Sequence, residues 1–251
     1  MSVSHWRQIA SVLGLLLVWQ ILVQAGHVNA LFLPAPLSVL GAMWQMTRSG
    51  ELPWAVLVSL NRVAQGFVYG ALAGVVLGLL AGAIRWVEDL LDPWVAAVYP
   101  IPKSALFPLF LLWFGLGNSS KIVTIAVGVL FLVLVNTMTG VRSINPTLLK
   151  AARDLGASRT QIFVKVILPG ALPNIFTGLR LGAGMALILV FITEIEATKA
   201  GLGFLLWEAF QLMDTRHVFV GVVTFGLLGV ATTWLLQWLE RVTCPWIQRP
   251  N

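Results

Sequence analysis

Six apolar runs with no Asp, Glu, Lys, Arg or His in their interiors constrain this chain more than any other feature. They are Ile9–Ala25, Ala64–Ile84, Ser104–Gly117, Ile122–Val141, Leu179–Ile195 and Val218–Leu239, with Arg180 and Glu194 only at run edges. A helix needs about 20 mostly apolar residues to cross the hydrocarbon of a bilayer. Lipid-exposed backbone must satisfy its own hydrogen bonds, so the runs are read as helices. Over all 251 residues only 10% are charged and 58% hydrophobic. A soluble domain carries about 25% charged residues to keep its surface wet. The fold class is therefore all-α, a polytopic membrane protein with six transmembrane helices. The gaps between runs leave no space for a soluble enzyme domain. The third run is short, and the proline-rich approach Trp94–Lys103 either extends it or breaks its first turns.

The net charge of +6 becomes informative once the cations are sorted by side. Arg7, Arg85, Lys103, Arg142, Lys150, Arg153, Arg159, Lys165, Arg180, Arg241 and Arg249 fall on one side. Arg48, Arg62, Lys121, Lys199 and Arg216 fall on the other. The positive-inside rule then places both termini in the cytoplasm. A rival reading of Arg7 to Ala30 as a cleaved signal peptide would leave five spans, but Ile9–Ala25 is long for that role. Of eleven tryptophans, seven lie outside the runs and Trp113 and Trp238 near a run end, as an interfacial aromatic belt requires.

Glycine recurs every fourth residue in the second run, at Gly66, Gly70, Gly74, Gly78 and Gly82. This stripe lets another backbone come close, either as static packing or as a sliding surface. Either way the helix is buried among protein. Residues 1–57 form a first helix with an external connector, and residues 58–243 the main transmembrane domain.

Catalytic signatures are missing. The runs offer no buried acid or histidine as a proton relay and no buried cation to recognise an anion. There is no Gly-Lys pair, hence no phosphate-binding loop, and no zinc or nucleophile-elbow motif. Cys244 is alone, and His5, His27 and His217 are far apart. If the chain moves a solute uphill, another polypeptide supplies the energy.

The connection from Arg142 to Gly178 is where that energy would arrive. Asn145-Pro146 opens a short helix and Gly156 stops it in a left-handed conformation. Ser158 and Gln161 form a capping box opening a second helix through Ile167, and Pro169-Gly170 ends it. Leu148, Ala151, Ala152 and Leu155 share one face of the first helix. Six cations between Arg142 and Arg180 face one anion, Asp154. Such a loop could lie on anionic lipid or receive a cytoplasmic partner. A nucleic-acid role is excluded by its tether between two spans.

The stretch Lys150-Ala151-Ala152-Arg153-Asp154-Leu155-Gly156, followed after nine residues by Val166-Ile167-Leu168-Pro169, resembles the EAA loop of ABC importer permeases. Lys150 stands where the family has Glu and Val166 where it has Ile; both alanines, Gly156, Leu168, Pro169 and the spacings match. Phe32-Leu33-Pro34-Ala35-Pro36, Tyr99-Pro100-Ile101-Pro102, Leu112-Trp113-Phe114-Gly115-Leu116-Gly117 and Gly201-Leu202-Gly203 resemble the nitrate/sulfonate/taurine/bicarbonate branch. The resemblance implies a homodimeric permease in the bacterial cytoplasmic (inner) membrane. It also implies separate cytoplasmic ABC ATPase subunits that hold ATP and Mg, and an extracytoplasmic solute-binding protein. This chain would bind no cofactor and be no enzyme. Ala151, Ala152, Gly156, Leu168 and Pro169 would form the ATPase-coupling loop. The branch favours a small oxyanion; relatives also handle pyrimidine precursors and aromatic acids. A passive channel and a scaffold without a pathway are the rivals. Thr124, Asn136, Thr137, Thr139, Thr193, Thr224, Thr232 and Thr233 are polar residues within the runs, none assigned to substrate. The last external loop, with Glu194, Glu196, Glu208 and Asp214 against Lys199 and Arg216, is expected to dock the binding protein.

Overall fold

The computed structural model describes residues 3–246; Arg249, counted among the cations above, lies outside them. The helices are α1 (Val3–Gln24), α2 (Pro36–Ser49), α3 (Glu51–Ala83), α4 (Arg85–Val98), α5 (Phe107–Phe114), α6 (Asn118–Arg142), α7 (Pro146–Asp154), α8 (Arg159–Ile162), α9 (Leu168–Ala197), α10 (Leu202–Gln211) and α11 (Thr215–Thr243). Among the described residues there is no strand.

Four helical stretches are long and apolar enough to cross a membrane: α3, α6, the continuous helix Arg159–Ala197, and α11. The expected third span is not one straight helix. It is a pair, α4 and Lys103–Phe114, bent by 91°. Pro100 and Pro102 explain the break, because neither has an N–H to donate to the helix capped at Tyr99. In α1 the apolar stretch is the shorter Leu13–Gln24.

The chain divides into two compact units. The first comprises residues 1–59 and 198–226. Within it the Gln20 side chain accepts from the Leu37 N–H at 3.1 Å, and Trp19 meets Phe219 with ring centroids 5.6 Å apart. The Ser59 hydroxyl accepts from the Leu202 N–H at 2.8 Å, giving the first turn of α10 the acceptor that a buried helix start requires. Glu51, Glu208, Asp214 and His217 line a cleft of about 200 Å³.

The second unit comprises residues 60–197 and 227–251, and α6 is its centre. All five glycines of the stripe face it. A Cβ at Gly74 would lie 2.8 Å from both Leu130 O and Val133 Cβ, and one at Gly82 2.6 Å from Val141 Cβ. Contacts that close leave no space for a side chain. The opposite side of α6 is packed the same way against α9: a Cβ at Gly140 would meet Asn174 Cβ at 2.7 Å, and one at Gly178 would meet Asn136 Cβ at 2.9 Å. Two glycine-lined seams thus clasp one helix. Ile125, Val129 and Val133 are fully buried between them.

Candidate functional site

The short helix α7 owes its shape to local hydrogen bonds. Asn145 Oδ1 accepts from the Thr147 N–H at 2.9 Å, and Pro146 occupies the first helical position. At the other end the Ala157 N–H reaches Ala152 O at 3.0 Å and the Gly156 N–H reaches Arg153 O at 2.9 Å. That pair of bonds is a Schellman turn, and it holds Gly156 at φ +79°. A Cβ at Gly156 would meet nothing within 4 Å, so glycine is required there by conformation alone. Ser158 then accepts from the Gln161 N–H at 3.3 Å while Gln161 accepts from the Ser158 N–H at 2.8 Å. This closes the capping box that opens α8.

The helix does not stop at Pro169-Gly170. It passes through a π-helical turn, Phe163–Ile167, and runs on as α9 to Ala197. A proline ring would clash with the carbonyl four residues back, and the wider turn before Pro169 gives that carbonyl space. The sequence reading therefore placed a helix end where there is only a bulge.

No residue of α7 is buried. Leu148 is 58% exposed and Leu155 88% exposed. Ala151 is exposed and Ala152 half-buried, leaving a low saddle between two leucines. Leu168 belongs elsewhere: it packs against the cluster of Val141, Ala171 and Ile175 at the foot of α9, with Val75 and Leu79. The coupling residues expected from the sequence thus fall into two groups. Ala151, Ala152 and Gly156 shape an exposed knob, while Leu168 and Pro169 root the long helix behind it. Two of the loop's six cations are held by acids from other helices. Arg142 pairs with Glu88 at 2.6 Å, and Arg180 pairs with Glu240 and donates to Thr177.

Buried cations are present one or two residues before the runs read from the sequence, at positions counted there as loop charges. Arg62 is 5% exposed and donates to Glu194 at 2.6 Å and to Asn118 Oδ1 at 2.9 Å. Lys121, 1% exposed, donates to Leu116 O and Gly117 O. Lys103, 9% exposed, donates to Val98 O at 2.6 Å, Tyr99 O at 3.1 Å and Ile101 O at 3.0 Å. Lys103 had been assigned to a cytoplasmic loop. Its ammonium instead lies 4.8 Å from the ring centre of Phe131, in the middle of α6. Sequence reasoning missed these side chains because it sorted cations by loop. The available signal was Arg62 and Glu194, opposite charges at ends of two spans assigned to the same side.

On the first unit, Asp214 Oδ2 lies 2.6 Å from His217 Nδ1 and Oδ1 accepts from the His217 N–H at 3.3 Å. Burial works to raise the Asp214 carboxyl, but the His217 hydrogen bonds and the charges of His217 and Arg216 outweigh it. They hold the carboxyl below its usual range. Among the described residues no three His, Cys, Asp or Glu side chains are grouped to hold a metal.

The fold agrees with comparisons to known proteins. Residues 74–243 match the family described as binding-protein-dependent transport system inner membrane component. A relative described as an aliphatic sulfonates transport permease protein, SsuC of Bacillus subtilis, is 37% identical over 91% of this chain and 83% of its own length. The bicarbonate transport system permease protein CmpB of Synechococcus elongatus is 33% identical over 99% of this chain and 94% of its own. A solved amino acid ABC transporter chain superimposes with a TM-score of 0.63 at 18% identity, covering 74% of this chain and 91% of that one, a likeness of fold. The chain belongs to the family of binding-protein-dependent transport system inner-membrane components, the transmembrane permeases of ABC transporters.

Proposed function

We propose that this permease imports a small oxyanion across the bacterial inner membrane, as a homodimer with both termini in the cytoplasm. Two separate ATPase subunits, holding ATP and Mg, supply the energy, and an extracytoplasmic binding protein delivers the solute. The observation that carries the reading is α7: an exposed apolar saddle, stiffened at both ends by its own caps, with none of its residues buried against the described residues. Apolar side chains left exposed on a capped helix fit a groove on another protein. Ala151, Ala152 and Gly156 seat the saddle in the ATPase, and Leu168 with Pro169 pass its motion into α9. Relatives whose names specify aliphatic sulfonates and bicarbonate support a solute with a small, oxygen-rich anionic head. Membrane lipid covers the outward apolar faces of the spans.

The test is uptake of a labelled alkanesulfonate and of bicarbonate by proteoliposomes holding permease, ATPase and binding protein. ATP-dependent uptake of either supports the proposal. Flux that persists without ATP identifies a passive channel. Uptake of a pyrimidine or an aromatic acid in place of both anions overturns the oxyanion assignment and leaves the importer in place.

A further inference from the structure

The break between α4 and α5 lies at an unusual depth. Phe131 comes thirteen residues after the start of α6 and eleven before its end. At 1.5 Å per residue it sits about 16–20 Å from either terminus, near the middle of a bilayer. Lys103 touches Phe131, so the non-helical stretch Tyr99–Pro102 beside it is at mid-membrane depth. All four of its residues are exposed in the single chain, Tyr99 by 46% and Ile101 by 38%.

Irregular backbone at that depth is tolerated only where protein covers it or water reaches it. The charge selects between these. Lys103 donates to Val98 O, the last carbonyl of α4, and to Tyr99 O and Ile101 O beyond it, which answers the negative end of that helix dipole. None of the ion pairs found among the described residues includes Lys103. A formal positive charge sealed in a dry seam without a counter-charge is costly, and an aqueous path beside it relieves that cost.

We propose that Tyr99–Pro102 lines the aqueous solute pathway and that the Lys103 ammonium behind it makes this stretch prefer anions. The choice of an anionic solute rests on the oxyanion reading above; access of water to the break does not. Cysteine at a pathway position reacts with water-borne thiol reagents, and a nearby cation speeds the anionic reagent relative to the cationic one.

The experiment places Ile101→Cys in a Cys244→Ser background, in the assembled transporter in proteoliposomes, with and without ATP. Leu72→Cys, exposed on the apolar span α3, serves as the control. Anionic and cationic methanethiosulfonates are the probes. We expect Ile101→Cys to react with the anionic reagent about tenfold faster than with the cationic one. Lys103→Gln should abolish that preference, Lys103→Arg should retain it, and Leu72→Cys should stay unlabelled. Absence of labelling at position 101 in both states overturns the proposal. So does an Ile101→Cys disulfide between two copies without labelling, which would make the break a dry seam. Equal rates for both reagents overturn the role of Lys103. Labelling with the anionic preference, in a transporter that takes up neither sulfonate nor bicarbonate, would remove the oxyanion reading alone.

Discussion

The glycine-packed α6 and the short helix α7 are neighbours in sequence and opposites in construction. α6 makes its contacts with residues far away in the chain, through backbones too close for a side chain to enter. α7 buries nothing and is shaped by bonds spanning at most five residues. One region is defined by what it encloses, the other by what it leaves open. The lesson is that damage to the two should separate: changes in the clasp should destroy the permease, and changes on the knob should disconnect it.

Gly74→Leu is the severest way to break the comparison. Its side chain would enter backbone at Leu130, and overpacking of this kind costs about 1–3 kcal/mol or more. We expect little monodisperse permease in gel filtration. Gly184→Ala, where a Cβ meets nothing within 4 Å, should purify normally. A well-behaved Gly74→Leu protein would mean that the seam opens easily.

Next in severity is Glu194→Gln. Removing one partner of a buried pair leaves the other charge stranded, at about 3–5 kcal/mol. The melting temperature of the purified permease should fall, and Arg62→Gln in the same chain should recover part of the loss. If the double variant melts no higher than the single, the pair is not what joins α3 to α9 there.

On the knob the expected damage to the fold is smaller. Gly156→Asp forces a side chain into a left-handed conformation, at about 1 kcal/mol, and Ala152→Trp fills the saddle. Both should purify intact yet fail to co-purify the ATPase, with uptake abolished. Lys150→Gln, Arg153→Gln and Arg159→Gln should do less. The reverse ranking would show that the loop works by adhering to lipid head groups.

The smallest effect concerns the cleft of the first unit. Charge reversal at Glu208 and Asp214 should slow association with the binding protein a few-fold and change its salt dependence. The folded Asp214 carboxyl titrates below its unfolded value, so its stabilising contribution is complete above the unfolded value and fades as pH falls through the folded one. Asp214→Asn should therefore lower the melting temperature slightly at pH 7 and make no difference well below about pH 4. An equal effect at both pH values would mean that the carboxylate charge is not what matters.

What could be read from the sequence follows the same division. The caps at Asn145, Gly156 and Ser158 involve residues two to five apart, and each was visible as a pattern. The stripe on α3 was visible because one helix carries all of it. Its counterpart on α6 and α9 was not, because Gly128, Gly140, Gly178 and Gly182 are shared between two segments and form a seam only once these pair. The Arg62–Glu194 pair was hidden for the same reason: a cation beside a loop looks solvated until the helix supplying its partner is in place. Pro169 misled in the other direction, since the chain passes it, and Pro173 after it, without leaving the helix.

That widened turn has a mechanical consequence. From Arg159 to Ala197 the chain is helical without interruption, a rod of about 58 Å at 1.5 Å per residue. Its α8 tip and the far end carrying Glu194 lie on one uninterrupted helix, with no break at the proline where one would be sought. A push on α8 therefore reaches the part of the helix packed against α6 with no loop in between. The extra residue in the π turn also advances every later side chain by about 100° around the axis. If that bulge moved along the helix, the side chains it passed would turn toward a different neighbour while both ends of the rod stayed where they were.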